Sequence, residues 1–209
     1  LMRVPAAGGT PTPLGARPGR YQSVSWSPDG RKLVVAEQHL EPDRLTEQGY
    51  QLHWIDLARP DRLEPIIRLA PRGNWRKPPQ RPTFDAAGER VYYMEPAGTA
   101  VRLCSIRLTG TDRRCHARIK AADEAIASPD GRWVAFTAMQ NAYLAPLPPS
   151  GAEIELAAEG APVPVFPLGP QASFLSWQDG GRKLVWSWAR TVYEADPAVV
   201  ASSAKSEPQ

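Results

Sequence analysis

The stretch Trp26-Ser27-Pro28-Asp29-Gly30-Arg31-Lys32-Leu33-Val34-Val35 sets a Pro-Asp-Gly turn between an aromatic residue and an apolar run. Proline presets φ at the first central position of such a turn, aspartate bonds its own local backbone, and glycine takes positive φ without a Cβ clash. One copy would be an ordinary hairpin. The pattern recurs as FDAAGERVYY from Phe84, ASPDGRWVAF from Ala127 and WQDGGRKLVW from Trp177. Three residues after the turn glycines Gly30, Gly88, Gly131 and Gly181 come Leu33, Val91, Val134 and Leu184, and two further on Val35, Tyr93, Phe136 and Trp186. That is the period of a strand. Trp26, Phe84 and Trp177 precede three of the four turns, so each copy reads as a hairpin with both arms buried.

The turn glycines lie about 40 to 60 residues apart, the spacing of propeller blades and not of helical solenoids. The 23 prolines and 16 glycines punctuate the chain too often for long helices. We therefore expect an all-β protein, a β-propeller either partial or four-bladed, built of four-stranded antiparallel blades. A blade remnant is expected over 1–14 and repeats over about 21–69, 81–119, 124–168 and 173–196, the last of them truncated. Residues 197–209, small and polar without period, read as a disordered tail or linker. Three complete blades and two partial ones favour an open fragment of a larger ring; a ring of four closes only if Leu1 to Leu14 completes the last unit. A chain opening at Leu1 without a methionine reads as a processed or excised piece.

The turn chemistry also removes Asp29, Asp130 and Asp179 from any list of catalytic acids. The sequence has no run of 18 apolar residues and no signal peptide, so no membrane insertion is expected. A net charge of +3 and a pI near 9.0 invite a nucleic-acid reading, but the cations are scattered. The short basic groups, Arg72 with Arg76 and Lys77, and Arg113 with Arg114, sit in loops or at a hairpin tip and make no patch with aromatic platforms. Trp75, in the basic loop RGNWRK, is the aromatic residue expected to be exposed, so Trp75, Arg72, Arg76 and Lys77 form a candidate interaction surface. Trp133 and Trp186 lie on repeat strands and read as core.

Cys104 and Cys115 bracket two strands joined around Thr109-Gly110-Thr111-Asp112. If Leu108 pairs with Thr111, the two cysteines face each other and a disulfide forms; a slip of one residue separates them. Structural zinc wants four ligands, and His116 is the one histidine nearby, so no metal and no cofactor are expected. His53, beside Trp54 in an apolar strand, reads as a packed core histidine, and His39 and His116 as solvated. There is no nucleophile elbow, P-loop or dinucleotide fingerprint. Ser202 and Lys205 have a Ser-x-x-Lys spacing, but in the tail, where nothing holds the pair.

The repeated W-S-P-D-G-R-x-[LI]-x-[VF] pattern resembles the WD40-like (PD40) repeat of the TolB-type β-propellers. The segments LMRVPAAGGTPTPL, VRLCSIRLTGTDRRCHARI, ASPDGRWVAFTAMQNAYLAPLPPSG and LSWQDGGRKLVWSWARTVYEAD, in that order, are similar to the later blades of the propeller preceding the catalytic domain in a group of secreted bacterial amidohydrolases. The likeness runs from Leu1 to Asp196. It implies a periplasmic or secreted protein whose metal-binding His-x-His strand would lie beyond Gln209. His39, His53 and His116 are too far apart to form that strand, so no catalysis is expected from this chain alone. Two functions follow. The chain is either a non-catalytic propeller segment that packs on or gates a hydrolase domain, or a free-standing TolB-like protein-interaction module. The resemblance favours the first. Expected partners are a hydrolase domain or further blades, in the same or another chain or in an oligomer, and not nucleic acid.

Overall fold

Side-chain hydrogen bonds within the turn hold three of the four hairpins. In the first, Ser27 Oγ donates to Asp29 Oδ1 at 2.6 Å and accepts the Lys32 N–H at 2.8 Å, while Asp29 Oδ1 also accepts the Arg31 N–H at 3.0 Å. Those bonds hold the Asp29 carboxyl below its ordinary range, the Ser27 hydroxyl most strongly. Ser128 and Asp130 repeat the device, with Ser128 Oγ accepting the Trp133 N–H at 2.9 Å. Asp85 takes the Glu89 and Arg90 N–H groups instead. Gly30, Gly88 and Gly131 close these turns at φ of 68°, 68° and 70°, the left-handed region that favours glycine.

The computed structural model describes residues 1–15, 18–40, 48–69, 81–149 and 152–203. Strands β1 (Met2–Arg3) and β2 (Thr12–Pro13) form a short antiparallel pair. Blade 1 follows as β3 (Arg20–Trp26), β4 (Lys32–Leu40), β5 (Gln48–Asp56) and β6 (Glu64–Leu69). Blade 2 is β7 (Thr83–Phe84), β8 (Arg90–Ala97), β9 (Ala100–Arg107) and β10 (Arg114–Lys120). Blade 3 begins with β11 (Ala122–Ala127), β12 (Trp133–Ala138) and β13 (Asn141–Pro146). The chain then crosses as β14 (Ile154–Leu156) and returns as β15 (Phe166–Gly169). Blade 4 is β16 (Ser173–Gln178), β17 (Lys183–Trp188) and β18 (Thr191–Ala195). Four antiparallel sheets are thus arranged as a four-bladed propeller.

Three features depart from a plain repeat. β14 leaves its own blade and pairs in parallel with β10, Ala117 opposite Ile154, so blade 2 gains a fifth strand and blade 3 closes with β15. Blade 4 has three strands, and no ladder among the described residues joins β18 to β1 or β2. The tail expectation is corrected over Pro197–Ser203, which forms helix α1. Asp196 Oδ1 accepts the Ala198 and Val199 N–H groups there, and Val200 packs on the apolar cluster between blades 3 and 4. A cap and one apolar anchor outweigh the small-residue composition that suggested disorder.

Apolar clusters lie between the blades. Val34, Leu52 and Ile66 meet Val91, Tyr93 and Ile106 between blades 1 and 2. Met94, Leu103 and Ile119 meet Ala125, Val134 and Phe136 between blades 2 and 3. Ile126, Ala135 and Leu144 meet Leu175, Leu184 and Trp186 between blades 3 and 4. On the opposite side of blade 1, Leu33 and Ile55 are covered by Leu1 and Leu14 of the β1–β2 segment, where the outer strands of a preceding blade would sit. Turns are stitched as well: Lys32 Nζ donates to Gly88 O at 3.0 Å and the Ala86 N–H to Pro129 O at 2.8 Å.

Candidate functional site: the axial cleft

The first strands of the four blades face a common cleft of about 810 Å³. Ser25 and Trp26 line it from blade 1, Phe84 from blade 2, Ile126 from blade 3, and Ser176 and Trp177 from blade 4. Trp177 is fixed by an indole N–H bond to Ile126 O at 3.3 Å. Trp26 is 53% exposed, an unusual state for a large aromatic in a protein whose blades are otherwise closely packed.

These strands are irregular where they approach the axis. The β3–β4 register shifts between Gln22 and Ser25, β11–β12 between Ala122 and Glu124, and β16–β17 between Ser173 and Ser176. Ser23 and Phe174 have φ of 55° and 58° there. Such bulges re-aim side chains.

One position of the repeat carries the consequence. Seven residues before each turn glycine stand Ser23, Arg81, Glu124 and Phe174, and three of these four meet. Arg81 Nη1 donates to Glu124 Oε1 at 2.9 Å, and the Arg81 guanidinium carbon lies 5.2 Å from the Phe174 ring centroid. The backbone N–H groups of Leu175 and Phe174 donate to the Glu124 carboxylate. Burial raises the Glu124 pKa, and the Arg81 charge and these bonds oppose the rise. Arg81 lines both the cleft and a second cavity of about 240 Å³ bounded by Met94, Thr137 and Gln140. The cation that the described residues place on the cleft wall is therefore already matched by a carboxylate.

The sequence candidates fall elsewhere. Trp75, Arg72, Arg76 and Lys77 lie outside the described residues. Cys104 and Cys115 are directly paired across β9 and β10 and joined in a disulfide. Glu95 sits close to both sulfurs, but disulfide sulfurs are not thiolates and cannot serve as metal ligands. Arg113 takes up that carboxylate, with its Nε donating to Tyr93 Oη at 3.1 Å. Arg114 is held by Asp112, whose carboxyl is lowered to about 2 by the Arg114 and Arg90 hydrogen bonds. His53 is buried, its Nε2 2.8 Å from Glu37 Oε2.

The solvated reading of His116 is corrected. It lies within β10, its Nε2 2.8 Å from Ser105 Oγ and its ring 5.4 Å from that of Tyr92. Burial lowers its pKa, and the Arg90 and Arg114 charges lower it further. The side chain of His39 lies outside the described residues. Trp186 is buried as a core residue and Trp133 packs against the same cluster. The Arg81–Glu124–Phe174 group escaped the reading of turns and strands; its signal is the shared offset from the turn glycine.

No protein-family model matches this chain, and no curated protein sequence is similar to it. Solved structures are similar in fold. TolB from Acinetobacter baumannii aligns over 95% of this chain and 46% of its own, with a TM-score of 0.64 and 16% identity. A nidogen/laminin complex aligns over 95% and 68%, with a TM-score of 0.61 and 14% identity. An oligogalacturonate lyase in complex with manganese aligns over 95% and 57%, with a TM-score of 0.59 and 16% identity. At such identities the likeness is one of β-propeller fold. This chain spans about half to two thirds of the length of these neighbours. No helix among the described residues is long and apolar enough to cross a membrane.

Proposed function

We propose that this chain is a non-catalytic β-propeller segment that packs on or gates a metal-dependent amidohydrolase domain or subunit in the periplasm or outside the cell. The observation that carries the reading is a mismatch of strands. Blade 4 already holds three strands, and β1–β2 packs on blade 1 as two outer strands of a preceding blade. No ladder among the described residues joins β1–β2 to blade 4, which supports placing them in different blades of a longer propeller. The edge strand β18, with Val192 70% and Tyr193 41% exposed, then has a partner to receive; unpaired edges are otherwise a liability. The amidohydrolase class rests on the ordered resemblance of the quoted segments, and the compartment on the TolB-like fold.

The coding sequence beyond Gln209, together with light scattering on the purified chain, tests this. A following domain or co-purifying subunit with a His-x-His strand, and no amide hydrolysis by the chain alone, is the expected result. A monodisperse monomer encoded without such a domain and purified without such a subunit would overturn the reading, as would metal-dependent hydrolysis by this chain.

A further inference from the structure

We propose that the axial cleft is a binding site for an uncharged oligosaccharide. The inference stands apart from the amidohydrolase reading, since it rests on this chain's own walls.

The volume of about 810 Å³ falls in the range of small-molecule sites, roughly 300–1,000 Å³, and suits a short chain of sugar rings. Charge disfavours acidic ligands. Among the described residues Arg81 is the cation on the wall, and its charge is met by Glu124 at 2.9 Å; a carboxylate or phosphate would need a cation still free to pair. Asp179 at the rim works against an anion as well. A wholly apolar ligand fails for a different reason. It would strip water from the hydroxyls of Ser23, Ser25 and Ser176 and from the Gln178 amide without replacing those bonds.

What remains is a neutral ligand with many hydroxyls and flat apolar faces. Trp26 supplies an exposed indole that packs an apolar face and keeps a polar handle. Trp177, tied to Ile126 O, supplies a second indole held in place by its own hydrogen bond. Serine hydroxyls and the amide both donate and accept, which matches a sugar hydroxyl in either role. The Arg81–Glu124–Phe174 group marks where this wall of the cleft turns from hydroxyl-bearing to ionic.

Calorimetric titration of the full chain tests the proposal, with maltotetraose, cellotetraose and chitotetraose as neutral probes and tetragalacturonate as the acidic one. At least one neutral tetrasaccharide should bind, and tetragalacturonate should bind at least tenfold more weakly. Trp26→Ala should weaken neutral binding roughly tenfold or more, and Trp26 is exposed enough that the fold should survive its loss. Ser176→Trp, which fills the cleft from blade 4, should abolish binding. The proposal is overturned if no neutral probe binds at about 10 mM, if tetragalacturonate binds best, or if Trp26→Ala and Ser176→Trp both bind like the parent. Titrating the same probes into the longer protein separates this outcome from failure of the assembly reading, which says nothing about sugars.

Discussion

Arg81 and Glu124 occupy the same position of neighbouring repeats and are joined at 2.9 Å beside the propeller axis. The pair links blade 2 to blade 3, and through the Phe174 and Leu175 amides it reaches blade 4. Truncating Arg81 leaves a carboxylate that is 10% exposed without its cation. Arg81→Ala should therefore cost about 2 kcal/mol, below the range for fully buried pairs because the arginine is partly solvated. Glu124→Gln should cost less, since the amide oxygen still accepts the two backbone bonds. Urea unfolding of both variants checks this, and equal losses would show that a carboxylate left without its cation is not the source of the cost.

Gly110 and Gly30 separate strain from contact. Both have positive φ, 77° and 68°, but a Cβ at Gly110 would lie 2.7 Å from Ile66 O of blade 1, whereas at Gly30 it would meet nothing within 4 Å. Gly30→Ala should cost about 1 kcal/mol for the left-handed backbone alone, and Gly110→Ala about 2–3 kcal/mol because the blade contact must also give. Thermal denaturation of the two variants reads the difference.

The Cys104–Cys115 bridge closes a short loop across β9 and β10. Its loss, by reductant or by Cys104→Ala with Cys115→Ala, should lower stability by about 2–3 kcal/mol. A thermal midpoint unchanged by dithiothreitol would show that the ladder alone holds the two strands.

The pH dependence has a definite sign. His116 is half-buried and its folded pKa is depressed, so the unfolded chain binds its proton first. Its contribution is complete above the ordinary histidine value near 6.5 and is lost as pH falls through the depressed folded value. Glu124 acts oppositely. Its raised pKa means that its contribution is complete below about 4.5 and declines as pH rises through the folded value. Chemical denaturation at pH 8 and pH 5.5 should show a smaller loss in His116→Gln than in the parent. A parallel loss in both would remove His116 from the account.

Local patterns carried the hairpins. A Pro-Asp-Gly turn followed by residues alternating from Leu33 to Val35 depends on contacts within ten residues, and these are written in one stretch of chain. The four turns therefore place four sheets without knowledge of their neighbours. The disulfide shows where local reading stops, because a slip of one residue would part Cys104 from Cys115, and only the ladder as a whole sets their register.

The tertiary structure decided what depends on residues far apart in sequence. β14 pairs with β10 across more than thirty residues, and nothing in Ile154 to Leu156 announces that partner. Helix α1 forms because Val200 finds an apolar cluster assembled from two other blades. His116 is half-buried because Ser105 of β9 and the Tyr92 ring of β8 pack against it. The cleft itself exists only once four first strands face one axis. Strand periodicity follows from the backbone and can be read one segment at a time, whereas burial, charge pairing and a binding surface arise from which segments meet. For this chain the amino-acid order alone determined repeating hairpins of a propeller, and assembly of the blades decided that Arg81 is matched by Glu124 and that Trp26 stands open beside the axis.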